Sequence, residues 1–167
     1  MRIRDAVEDD LPAVVAIYNT AVPGRQATAD TSEVTVAERR SWFFDHSAER
    51  RPIWVAEEEG KVAGWLSFQD FYGRPAYRAT AELSLYVAPG WQGRGVGRQL
   101  LAEALRRAPE LGVKTLLGFI FGHNAPSLRL FAAHGFERWG VLPRVAQMDG
   151  TEHDLVIVGR RVEKEGR

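Results

Sequence analysis

Val87-Ala88-Pro89-Gly90-Trp91-Gln92-Gly93-Arg94-Gly95-Val96-Gly97 leads from an apolar, β-prone segment, Thr80–Val87, into a helical pattern from about Gly95 to Arg107. A glycine-rich turn that opens a helix leaves several backbone N–H groups free and pointing outward. The helix dipole adds positive character at the same place, so a pyrophosphate is well accommodated there. Three other phosphate-binding patterns do not fit. A Walker A loop needs a lysine and a hydroxyl after its last glycine, and Gly97 is followed by Arg98-Gln99. A dinucleotide fingerprint needs G-x-G-x-x-G, and its last position falls on Arg98 or Leu100. Kinase glycine loops lie between two strands rather than before a helix.

Leu100, Leu101, Ala104, Leu105 and Ala108 form the apolar stripe of the helix after the turn. Thr115–Phe121 is a continuous apolar run and reads as a strand buried on both faces. Asn124-Ala125-Pro126-Ser127 opens a further helix that ends before Gly135. Phe136–Gln147 and His153–Val162 read as strands around the turn Asp149-Gly150. Toward the N-terminus, Ile3 and Ala6 mark a short strand. Asp9 or Asp10 then caps a helix carrying Leu11, Val14, Val15 and Tyr18 at helical spacing. Val22–Ser32 is a polar loop, and Thr35-Val36-Ala37-Glu38 matches a capping box for a helix over Val36–Ser47. Ile53–Glu57 and Val62–Phe68 read as a hairpin, and Asp70–Arg78 as a loop. The order β-α-α-β-β-β-α-β-α-β-β predicts a single α/β (α+β) domain over residues 1–167. Its mixed sheet carries helices on both faces.

Composition excludes several classes. Zero net charge among 167 residues gives no overall pull toward nucleic acid or a membrane surface. Cysteine is absent, which removes disulfides, thiolate nucleophiles and cysteine-based zinc sites, and no histidine spacing supports a metal site. No apolar run approaches the ~20 residues needed to span a bilayer, and Met1-Arg2-Ile3-Arg4-Asp5 has no signal-peptide core. A cytoplasmic location is the expectation.

With Val87-x-Pro89 and Gln92-x-x-Gly95-x-Gly97, and with Asn124, Ser127, Leu130 and Gly135-Phe136 downstream, the chain resembles the GNAT superfamily of acetyl-CoA-dependent N-acetyltransferases. The resemblance covers nearly the whole chain. It narrows toward the phosphinothricin and methionine-sulfoximine acetyltransferase branch through Ala16-Ile17-Tyr18-Asn19, Trp42-Phe43, Tyr77-Arg78-Ala79-Thr80-Ala81-Glu82, Ser84-Leu85-Tyr86-Val87 and His153-Asp154. It implies a mostly antiparallel twisted sheet of about seven strands, about four helices and a splayed central parallel strand pair. It also implies acetyl-CoA as cosubstrate without a metal, a small amino-acid-like amine as acceptor, and a homodimer.

The same resemblance places the coenzyme A pyrophosphate on Gln92, Gly93, Arg94, Gly95, Val96, Gly97 and Arg98. The pantetheine arm would lie along Leu85, Tyr86 and Val87, with Asn124 and Ser127 on its other side. Asn124 also reads simply as a helix N-cap. Acetyl transfer to an amine needs a base to free the amine and a donor for the developing oxyanion. Glu82, an acid in an apolar strand, is the candidate catalytic base, since partial burial raises a carboxyl pKa. Arg74 and Arg78 are candidates to clamp an acceptor carboxylate or phosphinate. Tyr77, Leu83, Ser84 and His153 complete the expected acceptor site.

Two departures stand out. Phe131 occupies a position where relatives of this kind carry histidine or tyrosine, leaving His134 as a substitute acid. Thr28-Ala29-Asp30-Thr31 lacks the aromatic residue common in the loop before the second helix. The alternatives are an acetyltransferase acting on a protein N-terminus or another amine, and a non-catalytic acyl-CoA-binding module.

Overall fold

Thr35 shows how the local signals convert into structure. Its hydroxyl oxygen accepts the Glu38 N–H at 3.1 Å and starts a helix over Val36–Phe44. The structure, a computed structural model, describes residues 1–162. In chain order the strands are β1 (Arg2–Asp5), β2 (Ile53–Glu58), β3 (Lys61–Asp70), β4 (Thr80–Val87), β5 (Thr115–Phe121), β6 (Glu137–Met148) and β7 (Thr151–Arg161). The helices are α1 (Leu11–Ala21), α2 (Val36–Phe44), α3 (Val96–Arg107) and α4 (Ala125–Ala133). One sheet runs β1-β2-β3-β4-β5-β7-β6. Every neighbouring pair is antiparallel except β4 and β5, which are parallel. The expected sheet, its helices and its parallel pair are therefore present. The two-residue turns Glu59-Gly60 and Asp149-Gly150 set the hairpin registers Glu58↔Lys61 and Met148↔Thr151.

The sheet separates two apolar layers. Leu100, Leu101 and Ala104 of α3 are fully buried with Leu83, Leu116 and Phe131. On the opposite face, Val14 and Ile17 of α1 pack on Val55 and Trp65. The Trp65 indole donates to the Val14 carbonyl at 3.1 Å, so this contact also satisfies a buried polar atom. Asn19 holds the start of α2 against α1, donating to the Val34 carbonyl at 2.8 Å and accepting its N–H at 2.9 Å.

Three boundaries differ from the sequence reading. Asp10 does not cap α1: its carboxylate accepts the Val7 N–H at 2.8 Å and pairs with Arg4 at 2.7 Å, and residues 8–10 form a 3₁₀ turn. Pro12 in the first turn of α1 reduces the number of donors that need a cap. Helix α2 stops at Phe44 because the chain turns back to place the Ser47 N–H on the Arg51 carbonyl at 3.0 Å. Strand β7 begins at Thr151, two residues before the expected start, because the tight turn leaves no spacer.

Leu100 sits at the centre of the larger core with no exposure. Leu100→Ala is expected to lose about 2–5 kcal/mol of stability. Urea unfolding followed by circular dichroism checks this as a lowered midpoint with an unchanged slope.

Candidate active site

Parallel pairing of β4 with β5 runs only from Thr80↔Thr115 to Leu83↔Gly118. Beyond it, β4 stays bonded to β3 as far as Val87, and β5 stays bonded to β7 as far as Phe121. Residues 84–87 and 119–121 therefore present facing backbone edges that do not pair with each other. A parallel ladder that opens in this way leaves donors and acceptors free for an extended ligand. At the apex, a Cβ on Gly118 would lie 3.0 Å from both Phe131 Cε1 and Val158 Cγ2. Glycine there lets the Phe131 ring pack directly against the strand. Phe131 is thus a packing residue, 4% exposed, set edge-to-face on Phe136.

The glycine turn stands at the open end of the cleft. Gly93 and Gly95 take φ values of 72° and 84°, which an L side chain adopts only with strain, and Gly95 is the N-cap of α3. The first helical bond runs from the Gln99 N–H to the Gly95 carbonyl, so the amides of residues 96–98 have no intrahelical acceptor. Gly97 serves packing instead: its missing Cβ would meet Leu130 Cδ2 at 3.3 Å and Leu85 Cδ2 at 3.7 Å. The Arg94 guanidinium lies 4.3 Å over the Trp91 ring, at the rim of the turn. A cleft of about 720 Å³ runs along this turn and is bordered by Leu85, Tyr86, Val87, Gln92 and Ser127. The donors and the helix dipole suit a pyrophosphate, and the opened strand edges suit an amide-bearing arm.

A second cleft, of about 460 Å³, adjoins the first across Leu85, Tyr86, Asn124 and Ser127. Glu82, Leu83 and Ser84 line it from β4, and Phe119 and Phe121 from β5. Burial pushes the Glu82 carboxyl pKa above its usual value, because a carboxylate loses solvation there. Burial likewise raises the Tyr86 phenol, so it stays protonated and donates to the Ala27 carbonyl at 3.0 Å.

Residues 25–28, inside the segment read only as a polar loop, strap this cleft. His123 Nε2 donates to the Arg25 carbonyl at 2.7 Å, Asn124 Nδ2 to the Gln26 carbonyl at 3.3 Å, and Arg25 pairs with Asp149 at 2.9 Å. Asn124 also caps α4, its Oδ1 accepting the Ser127 N–H at 3.3 Å. Its amide therefore joins the strap to the helix.

The remaining acceptor-site candidates lie elsewhere. Arg74, Tyr77 and Arg78 border a separate surface cleft of about 240 Å³ with Arg50 and Asp70. Tyr77 touches the Glu82 cleft only through a relay of rings, at 5.3 Å from Phe71, which lies 6.4 Å from Phe119. His153 stacks on His123 at 4.0 Å and is not among the residues bordering the Glu82 cleft. His134 turns away toward the end of α4, with Nδ1 donating to the Leu130 carbonyl at 2.9 Å. The sequence reading missed the strap and gave His123 no role. The one available signal was the length of the polar segment 22–32 between two helices. Among the described residues, no group of three or more His, Asp or Glu side chains is arranged to hold a metal ion.

A helix start with free amides beside an opened parallel strand pair, with a partly buried carboxyl on one of those strands, is an arrangement suited to a pyrophosphate-bearing acyl donor and an amine. The comparisons with known proteins agree. The acetyltransferase (GNAT) family model matches residues 13–136, and the chain belongs to that family. It is 55% identical over 97% of its length to "Putative phosphinothricin acetyltransferase YwnH" of Bacillus subtilis, covering 99% of that protein. It is 37% identical over 93% of its length to the L-methionine sulfoximine/L-methionine sulfone acetyltransferase of Pseudomonas aeruginosa, covering 91% of it. The GNAT superfamily phosphinothricin acetyltransferase of Sinorhizobium meliloti, solved in complex with acetyl-CoA, superposes with a TM-score of 0.91 at 31% identity. That match covers 96% of this chain and 88% of that one. The protein is an N-acetyltransferase that uses acetyl-CoA.

The raised Glu82 pKa carries a sign for stability. A carboxyl that folding makes harder to ionise costs nothing below its unfolded pKa, destabilises increasingly as pH rises from there, and has its full cost above its folded pKa. Glu82→Gln is therefore expected to melt higher than the parent at pH 8, with the difference vanishing near pH 4. Paired thermal melts across that range check it.

Proposed function

We propose that this enzyme acetylates the primary amine of a small amino-acid-like acceptor, of the class of phosphinothricin, methionine sulfoximine or methionine sulfone, by direct attack on the thioester. The observation that carries the reading is the position of Glu82. Its carboxyl is half-buried in the cleft beside the opened end of the β4–β5 pair, and its pKa is raised by that burial. The names of the relatives above support the acceptor class.

The amides of residues 93–98 would hold the pyrophosphate of coenzyme A, and the free edge of Leu85–Val87 would pair with the pantetheine arm. Bound acetyl-CoA supplies the thioester carbonyl that the amine attacks and the thiolate that leaves. Glu82 takes a proton from the acceptor ammonium, directly or through water, so that a lone pair is available. The C–N bond then forms as the C–S bond breaks, and a second nitrogen proton is lost to solvent. Free N–H groups at the β4 edge would stabilise the carbonyl oxygen on which charge develops. Phe131 has no proton to give, so the thiolate leaves unaided, as a thiol of ordinary pKa near 8.5 can. Arg74 and Arg78 remain candidates for the acceptor's acidic group, from their separate surface cleft, with Tyr77 and His153 at the periphery.

Release of free thiol from acetyl-CoA is to be followed against methionine sulfone, methionine sulfoximine, phosphinothricin and the common amino acids. Glu82→Gln is expected to lower kcat by about 10²–10⁴-fold while acetyl-CoA affinity, read by calorimetry, stays near that of the parent. Gly95→Val is expected to abolish acetyl-CoA binding while the chain still folds. Undiminished turnover in the first variant removes Glu82 from the chemistry, and undiminished binding in the second removes the cradle.

We also propose a homodimer. Its support is the exposed apolar side chains Trp139, Val141, Leu142 and Val145 spread over edge strand β6, the last of which borders the Glu82 cleft. Light scattering is expected to give twice the 18.7 kDa chain mass.

A further inference from the structure

Behind β4, between the first two helices and the sheet, lies a chamber of about 160 Å³. It adjoins the Glu82 cleft, because Ser84 and Tyr86 border both. Its walls are rings: Tyr18 and Tyr86 meet edge-to-face at 5.1 Å, Trp42 and Trp65 at 5.5 Å, and Trp65 and Tyr86 at 4.9 Å. Its floor is polar. Gln69, the cross-strand partner of Glu82, borders it beside Ser84, and neither side chain bonds to another described residue. The one cation bordering it, Arg39, is paired with Asp30 at 3.1 Å and lies over the Tyr18 ring at 4.7 Å.

These features select among acceptor side chains. An apolar cavity of about 150 Å³ accommodates a benzene ring, so the volume suits one flat ring. Four aromatic walls at edge and tilted angles favour another ring over a branched alkyl group. Two unused polar side chains on the floor can bond one neutral substituent. An anionic side chain finds no free cation in the chamber, because Arg39 already has its carboxylate.

We propose that this chamber is the acceptor side-chain subsite and that it takes an aryl ring, so that aromatic amino acids and arylalkylamines are acceptors of this enzyme. The proposal rests on the amine-acetylating reading above for the placement of the amine beside Glu82. Adjacent cross-strand residues lie about 5 Å apart, so an amine at Glu82 and a ring over Ser84 and Gln69 belong to one molecule of phenylalanine size. Val34 also borders the chamber, from the loop leading to α2. A larger side chain there fills the space without touching Glu82 or the glycine turn.

The full chain is to be assayed for thiol release from acetyl-CoA with phenylalanine, phenethylamine and methionine sulfone. Phenethylamine binding is to be measured separately by quenching of tryptophan fluorescence. The expected result is a kcat/KM for the aryl amines at least about tenfold above that for methionine sulfone. Val34→Phe is expected to reduce the aryl values at least about tenfold more than the sulfone value and to remove the quenching. Turnover of methionine sulfone without use of either aryl amine overturns the proposal, as does an equal loss on all acceptors in Val34→Phe. Quenching that Val34→Phe removes, without turnover of any amine, supports the chamber and instead overturns the acetyltransferase reading of the acceptor. Absence of both quenching and aryl turnover overturns the chamber alone if methionine sulfone is acetylated, and both readings if it is not.

Discussion

The sheet depends on a ladder that stops. Each of β4 and β5 has an antiparallel partner along its outer side, and those partners continue after the two strands part at Leu83 and Gly118. The opening is therefore stable: neither strand loses its register when the central bonds end. Without β3 and β7 the free edges would collapse together or fray, since unpaired backbone groups are costly away from water. The wedge of Phe131 against Gly118 fixes where the separation begins. The glycine turn and the cleft holding Glu82 are both positioned by that point.

The two faces of the opening do different work because the two layers differ in how completely they are filled. The layer under α3 and α4 is closely packed, with Trp54, Phe68, Phe131 and Phe136 set among its aliphatic side chains, which holds the glycine turn in one place relative to β4. The layer under α1 and α2 is aromatic and includes polar atoms on the sheet, and it leaves space. A donor site shared by a whole family needs rigidity. An acceptor site needs room to vary, and loops over an aromatic layer supply it.

Much of this was legible in the chain. Strand and helix order followed from periodicity and caps: Thr35 with Glu38, Asn124 with Ser127 and Gly135 past the end of α4 all behave as their types predict. The glycine turn was legible because glycine at 93 and 95 is a backbone requirement that few other residues meet. The acceptor side was less so. Arg74 and Arg78 are near Glu82 in sequence, yet a 3₁₀ turn over Pro75–Tyr77 and the bond from Arg51 to the Arg78 carbonyl, at 2.6 Å, place them over a different cleft. The strap, the chamber and the contact of His123 with Arg25 join residues roughly a hundred positions apart or on different elements. Periodicity carries no information about such meetings. Asp10 was misread because a carboxylate before a helix can satisfy a nearby arginine as readily as a helix end.

Gly97 ties the glycine turn to β4 through Leu85 and to α4 through Leu130. The turn therefore does not open on its own; releasing it means separating elements of the main core. Binding free energy delivered at the turn thus counts toward global unfolding rather than toward local order. A ligand that binds only the folded state at a hundred times its dissociation constant adds about 2.7 kcal/mol of stability. Acetyl-CoA bound there, as proposed, would stabilise the whole fold rather than one loop, so resistance to unfolding would rise with the acetyl-CoA level of the surroundings.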